Sequence, residues 1–186
     1  MKRGEFLKNV ITGGCACAVL TLGGNKLYSA DDTGEKKSNK DKNQEFITGW
    51  TENLMVIMDQ NLDEKTRSKI MQESGRKCAE KTYKPIALKY KGNVKGILDF
   101  MKQEFADIAD YDEKNGTIHL VGKKFKSCFC PLVKGRSSLK SGTYCFCSMG
   151  WMKEVFETVT GKKVKVELEK TILRGADCCA YKMILT

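Results

Sequence analysis

Two matching pairs of thiols carry the most distinctive chemistry in this sequence, Cys128-Phe129-Cys130 and Cys145-Phe146-Cys147. In an extended segment, residues i and i+2 point to the same side, so each pair would present two sulfurs on one face and a phenyl ring on the other. The segment between the pairs is rich in Gly, Ser and Lys and could let them face each other. Two facing pairs could bind a soft metal, form disulfides or pack as small apolar side chains.

Zinc or another thiophilic metal is the cofactor that such a cluster would hold. A structural zinc site takes four ligands in a tetrahedral arrangement, and soft metals such as Cu(I) also favour thiolates. The candidate ligands are the four paired cysteines and one cysteine on a predicted helix: Cys128, Cys130, Cys145, Cys147 and Cys78. In an exported protein disulfides compete with metal binding, and a bridge would have to cross between the pairs. The sequence leaves metal, disulfide and free thiol open.

A catalytic cysteine would need a base beside it to remove the thiol proton. His119 is the only histidine, and it alternates with Ile118 and Leu120 in a predicted strand, where a histidine is more often structural than catalytic. The sequence contains no Gly-rich phosphate loop, no His-Glu-x-x-His and no Gly-x-Ser-x-Gly. Catalytic residues and residues that bind an organic cofactor are therefore unknown at this level.

The N-terminus predicts an export signal in residues 1–30. A basic start at Lys2-Arg3 precedes an apolar stretch, residues 10–24, which is too short to span a bilayer. The start resembles a twin-arginine signal in which Gly4 replaces the second arginine. A charged tract follows and predicts a flexible linker at residues 31–44. Residues 45–186 then form a single domain, and the expected location is periplasmic or otherwise extracytoplasmic.

The charge pattern argues against a nucleic-acid partner. The formal net charge is +10, but the lysines are spread along the chain without an aromatic-interleaved basic motif. A solvated lysine surface is the simpler interpretation. No stable membrane span is expected, and the oligomeric state is unknown from the sequence.

Periodicity predicts helices in the first half of the domain. Apolar residues from Phe46 to Met58 recur at spacings of three and four. Asp63 is placed to cap a second helix that runs to about Thr82, and Asn93 a third. Pro85 interrupts the pattern between them.

The second half predicts strands around one further helix. Strands are expected at Thr117–Gly122, at residues 124–130, along the alternation that begins at Val164, and in a last strand from residue 179 to residue 183. Ser148 would cap a helix that ends at Gly161. This order predicts an α+β fold in which N-terminal helices pack on an antiparallel sheet.

The C-terminal run resembles a known group of proteins. A helix ended by Gly161, a Val164-Lys165-Val166-Glu167 strand and Gly175-Ala176-Asp177-Cys178-Cys179 are similar to the end of 4-vinyl reductase domains and of L-2-amino-thiazoline-4-carboxylic acid hydrolase-like proteins. With Gly75-Arg76-Lys77-Cys78-Ala79, the pattern resembles an uncharacterised bacterial branch of that group, over residues 65–186. The resemblance implies a 4-vinyl-reductase-like domain with a pocket for a small-molecule ligand between helices and sheet.

The expected function follows from the thiols and the resemblance together. An exported domain that binds a small ligand or a metal is the main hypothesis. The pocket would be mostly apolar, a few hundred cubic ångströms in volume, and lined by large side chains from the helical stripes: Trp50, Trp151, Met152, Phe156 and Phe105. Two alternatives are a cysteine-dependent hydrolase acting on a non-peptide C–N bond and a structural domain stapled by disulfides.

Overall fold

A computed structural model of the chain describes residues 39–128, 130, 132–133, 139 and 141–186. The expected signal peptide at residues 1–30, with Cys15 and Cys17, lies outside the described residues, as does most of the expected linker. The last six residues of that linker, 39–44, belong to the first helix instead.

Four helices come first in the chain: α1 (Asn39–Asn61), α2 (Glu64–Thr82), α3 (Lys84–Lys89) and α4 (Val94–Glu104). Strands β1 (Ala106–Asp112) and β2 (Thr117–Gly122) form a hairpin. A 3-10 turn, Thr143–Cys145, leads into α5 (Phe146–Thr160), which β3 (Val164–Lys170) follows. A second 3-10 turn, Ile172–Arg174, precedes β4 (Ala180–Leu185). No helix in the described part of the chain is long and apolar enough to cross a membrane.

The predicted caps set the helix ends. The Asp63 side chain accepts a hydrogen bond from the Thr66 amide at 3.0 Å, and Asn93 accepts one from Gly96 at 2.9 Å. Each such cap contributes about 1 kcal/mol. Gly161 ends α5 at φ +68°, a left-handed conformation that costs a residue without a Cβ little. These three predictions are confirmed.

The four strands form one antiparallel sheet in the order β1-β2-β4-β3. Ile118 and Leu120 of β2 pair with Met183 and Tyr181 of β4, and all four side chains are buried. The predicted α+β class with an antiparallel sheet is confirmed. Only one face of the sheet is apolar; the other carries charged side chains such as Lys165.

Three local predictions are wrong. Residues 124–128 are a loop rather than a strand, because they stand beyond the end of the hairpin. Within this loop, the Phe125 amide still donates a hydrogen bond to the Asp177 carbonyl. The missing strand is β1, whose sequence ADIADYD is too polar to show clear alternation. Helix α5 begins two residues before Ser148, and the Ser148 hydroxyl donates to the Cys145 carbonyl at 2.6 Å within the first turn.

Helices α2 and α5 cross in direct backbone contact. A Cβ built on Gly75 would lie 1.9 Å from the Cys147 carbonyl oxygen, and one on Gly150 would lie 1.8 Å from that of Gln72. Only glycine fits at either position, because real Cβ contacts are essentially never under 3.0 Å. This crossing, which we call the glycine crossing, holds α5 against the helical layer.

Ion pairs reinforce the packing of α5. Glu154 is 5% exposed and lies between Arg76, at 3.1 Å, and Lys84, at 2.7 Å. Arg76 also pairs with Glu157 at 2.7 Å. A buried carboxylate is tolerated here because cations satisfy it from two directions.

Candidate functional site

The structure places the paired cysteines in loops and turns rather than on strands. Cys128 and Cys130 lie after β2, whereas Cys145 ends the 3-10 turn and Cys147 stands in the first turn of α5. Successive helical residues rotate by about 100°, so positions i and i+2 do not share a face there. The geometric premise for two facing pairs on strands is therefore wrong.

The thiols are mostly covered and are free in the described structure. Burial raises the pKa of both Cys145 and Cys147 to about 11, although the Thr171 hydroxyl, 3.3 Å from the Cys145 sulfur, can donate to the Cys145 thiolate and so opposes the rise in the pKa of Cys145. Nearby thiols at Cys130 and Cys78 raise the pKa of Cys147 further. At neutral pH these two sulfurs are protonated, and a protonated thiol is a poor nucleophile and a poor ligand.

No metal centre is formed among the residues that the structure describes. No group of three or more His, Cys, Asp or Glu side chains there is arranged to hold an ion. Cys78 is exposed on α2, while Cys128 is buried below the surface. Binding of zinc or another thiophilic metal by the five cysteines stays a prediction.

His119 cannot activate the buried thiols. It is exposed on β2, between the buried residues Ile118 and Leu120, and so it points to the polar face of the sheet. Its cross-strand neighbours are Asp110 and Lys182. The base that a cysteine-dependent hydrolase needs is therefore on the wrong side of the sheet.

The five predicted pocket residues fall into three environments. Trp151 stacks on Tyr83 with ring centroids 4.6 Å apart, and Phe105 meets its edge at 6.3 Å. Met152 and Phe156 are buried in the core, whereas Trp50 is 57% exposed on α1. Trp151 and Phe105 therefore belong to an aromatic cluster with Tyr83, Met152 and Phe156 to the core, and Trp50 to the surface.

Two clefts stand out among the described residues, and none of the five predicted residues lines either of them. The smaller cleft, about 200 Å³, lies between α4 and β1. The larger, about 400 Å³, lies where the α1–α2 corner meets the two 3-10 turns. We call the larger one the Arg174 cleft. Its lining residues are Asp59, Glu64, Arg67, Leu139, Gly142, Thr143, Phe146, Leu173 and Arg174.

Asp59 organises one wall of the Arg174 cleft. Its carboxylate accepts a hydrogen bond from the Thr143 hydroxyl at 2.6 Å and forms an ion pair with Arg67. Burial raises the pKa of Asp59, but hydrogen bonds from Ser141 and Thr143 and the charge of Arg67 outweigh it and hold the pKa below its usual value. Asp59 is thus ionised at neutral pH and ties α1 to the 3-10 turn before α5.

Arg174 forms the opposite wall. Its guanidinium lies 5.3 Å from the centre of the Phe146 ring, in cation–π range. The residue is exposed, and within the described structure no carboxylate forms an ion pair with it. Gly142 stands beside it: a Cβ there would lie 2.9 Å from Arg174 Nε. The cleft therefore offers a cation held in place on one side with its hydrogen-bond donors available on the other.

Sequence reasoning did not identify this cleft. Its lining residues come from three segments far apart in the chain, 59–67, 139–146 and 173–174, and its charged residues form no motif. The nearest signal in the sequence is Phe146 of the second Cys-Phe-Cys pair, but nothing in the pattern connects its ring with Arg174.

A family model matches residues 26–186 and is described as a family of unknown function, DUF6144. The chain belongs to the DUF6144 family. The match includes every described residue of the helices and the sheet. No curated protein matches the sequence significantly.

Solved structures show what this DUF6144 member resembles in fold. A trafficking protein particle complex subunit 3 from Naegleria fowleri, covalently bound to palmitic acid, is 14% identical, with a TM-score of 0.50 over 78% of this chain and 96% of that chain. At this identity the likeness establishes fold alone.

Two further structures are more distant. The phenol-responsive sensory domain of the transcription activator PoxR, solved with phenol, is 14% identical, with a TM-score of 0.43 over 74% of each chain. A vinyl-4-reductase family protein from Methanocaldococcus jannaschii is 11% identical, with a TM-score of 0.33 over 82% of this chain and 85% of that one.

Proposed function

We propose that this domain binds a small organic acid in the Arg174 cleft and that it acts as a ligand-binding module rather than as an enzyme. The observation that carries the proposal is the Arg174 guanidinium, which lies over Phe146 in a cleft of about 400 Å³ and has no carboxylate partner in the described structure. Ligand pockets typically range from about 300 to 1,000 Å³. The cleft therefore has room for a molecule of roughly drug-fragment size.

The lining selects for a small acid. A guanidinium presents a rigid fork of donors that matches a carboxylate. Most of the exposed lining is polar, because Leu173 is buried and Leu139 is half-buried, and the Thr143 hydroxyl is already engaged by Asp59. A carboxylate on Arg174 with a small body beside the leucines fits this lining.

The acidic wall adds selectivity. Asp59 is neutralised by Arg67, whereas Glu64 is exposed at the rim. A ligand with two or more negative charges would meet Glu64, so a monocarboxylate is favoured over a polyanion such as inorganic phosphate. The chain shares its fold with a subunit that holds palmitic acid, which is compatible with a monocarboxylate ligand. The proposal itself rests on Arg174.

Calorimetric titration of the full-length protein with hexanoate and benzoate tests the proposal. We expect binding of at least one acid, and binding at least tenfold weaker in Arg174→Gln, since a charge-assisted hydrogen bond contributes about 1.5–3 kcal/mol and 1.4 kcal/mol is tenfold. Lys182→Gln, on the other face of the sheet, is the matched control and should bind like the parent. Hexanol and phosphate should bind weakly.

Equal affinity of the parent and Arg174→Gln would overturn the assignment of the site. Absence of heat with both acids, at protein and ligand concentrations that detect millimolar binding, would overturn the ligand class.

Export and a role for the thiols are further parts of the proposal. Export is supported by the basic start and the short apolar stretch, and mass spectrometry of the native protein should find the chain without residues 1–30. An intact Met1 would contradict it. For the thiols, elemental analysis of purified protein tests the zinc prediction: one zinc per chain would support binding by thiolates, and its absence would leave the sulfurs protonated, as their burial favours.

A further inference from the structure

Helix α1 has a second apolar face that the domain does not cover. Its buried residues are Met55 and Met58. Four other apolar residues recur at spacings of four, four and three, which places them within about 80° of one another around the helix. They are Phe46, Trp50, Leu54 and Ile57, and we call them the α1 stripe.

The stripe is well exposed for apolar side chains. Phe46 is 73% exposed, Trp50 57% and Ile57 54%, and Leu54 is half-buried. Ile47 flanks the stripe at 52%. Contiguous apolar surface of this kind marks an interaction site rather than ordinary solvent-facing helix.

The acidic residues Glu45 and Glu52 avoid the stripe. They stand on the opposite side of the helix, at about 140° or more from the middle of the stripe. Asn53 and Lys42 lie along one margin, and Asn43 lies in line with the stripe one turn before Phe46. An apolar centre with polar margins matches the layout of a protein interface.

We propose that the α1 stripe is a dimer interface and that its partner is the α1 stripe of a second copy of this chain. A twofold axis through the middle of the stripe pairs the helices antiparallel. Phe46 of each copy then lies opposite Ile57 of the other, and Trp50 lies opposite Leu54. The stripe is thus complementary to itself, with each large ring opposite an aliphatic side chain.

The charges at the two ends of the stripe also fit this arrangement. Lys42 stands before the stripe, and the exposed carboxylate of Asp63 stands after α1 ends. Antiparallel pairing brings the Lys42 end of one copy to the Asp63 end of the other, and it also opposes the two helix dipoles favourably. Parallel pairing would put like charges together.

The area is sufficient for a specific dimer. Large aromatic side chains bury 150–250 Å² each, so two stripes with their margins would remove on the order of 1,000 Å² from water. This is the lower limit for a biological interface, so a weak dimer is expected. The proposal is independent of ligand binding in the Arg174 cleft.

Sedimentation velocity of the full-length protein between 1 and 100 μM tests the proposal. We expect a dimer for the parent and at least tenfold weaker self-association for Trp50→Glu. Leu88→Glu is the matched control, because Leu88 is 53% exposed on α3, outside the stripe, and this variant should dimerise like the parent. A monomeric parent over the whole range would overturn the proposal, as would an unchanged Trp50→Glu dimer.

A mixing experiment separates this partner from others. Phe46→Glu and Ile57→Lys should each be monomeric alone. Mixed together they should form a heterodimer, because one Glu–Lys pair replaces one contact and the second Phe46–Ile57 contact is intact. If the apolar residues 10–24 of the same chain covered the stripe, the parent would be monomeric and mixing would restore nothing, which would overturn the proposal.

Discussion

The glycine crossing and the Arg174 cleft differ in how their helices meet. At the crossing, α2 and α5 touch backbone to backbone, and Gly75 and Gly150 leave no space between them. At the cleft, the α1–α2 corner stands away from the start of α5, and the Asp59–Thr143 hydrogen bond bridges the two. Close backbone packing holds the two helices together at the glycine crossing, whereas polar contacts hold the elements together at the Arg174 cleft. Direct backbone contact leaves no room for a ligand at the crossing, whereas the cleft leaves open space beside charged side chains.

The largest change in stability is expected when one methyl group is added at the glycine crossing. Gly150→Ala should lower the free energy of unfolding by about 3 kcal/mol or more, because its Cβ would overlap a backbone carbonyl that cannot move alone. Chemical denaturation followed by circular dichroism measures the change. Gly75→Ala should lower the free energy of unfolding by a similar amount. A change within about 0.5 kcal/mol in either variant would contradict direct backbone contact.

The rate at which Cys147 reacts reports how well the packing of α2 and α5 protects its thiol. Cys147, whose pKa is raised to about 11, should be alkylated at pH 8 roughly 100-fold more slowly than an ordinary exposed thiol, because the thiolate reacts. Cys78 is exposed on α2 and should be modified early. Peptide mass spectrometry after timed iodoacetamide treatment compares the two sites directly. Equal rates at Cys78 and Cys147 would show that α5 opens readily.

Removal of the Asp59 charge tests the polar bridge at the cleft. Asp59→Asn should destabilise the protein by about 1–3 kcal/mol at pH 7, because it weakens hydrogen bonds from Thr143 and Arg67. Thr66→Ser, which keeps its hydroxyl on Asp63, is a control with little expected effect.

The pH dependence has a definite sign. The folded-state pKa of Asp59 lies below its usual value, so the native protein binds its proton less readily than the unfolded chain. The stabilisation is complete above the unfolded value of about 3.9 and is lost as pH falls through the lower folded value. The difference between parent and Asp59→Asn should therefore shrink below pH 4, and a constant difference down to pH 2 would contradict the assignment.

The smallest expected effect comes from a glycine in open surroundings. Gly49 lies within α1, and a Cβ there would meet nothing within 4 Å. Gly49→Ala should stabilise the protein by about 0.5–1 kcal/mol through helix propensity alone. It is also the matched control for Gly150→Ala, since the same change should have the opposite sign. Destabilisation by Gly49→Ala would mean that this face of α1 is covered.

Much of the fold could be predicted from the sequence. Asp63, Asn93 and Gly161 mark helix ends because capping depends on contacts within a few residues. The alternation from Val164 onward marks β3 because one face of the sheet is buried. The α+β class follows from these local signals.

The cleft could not be predicted from the sequence, because the residues that line it are distant in the chain. The thiol pairs stand out by composition, but the turn before α5 decides where their sulfurs point. Strand β1 has few apolar residues and depends on β2 for its pairing. Arg174 and Phe146 are unremarkable in the sequence and meet only when the two 3-10 turns are brought together.

By itself the sequence determined where most helices and strands begin and end and that α1 carries an apolar stripe; that most of this stripe is exposed only the tertiary structure showed. Tertiary structure alone decided that the glycines of α2 and α5 meet, that burial keeps Cys145 and Cys147 protonated, and that Arg174 stands without a carboxylate partner in the described structure. The physical reason is range: caps and periodicity act over about four residues, whereas desolvation and charge pairing depend on neighbours that only the folded chain supplies.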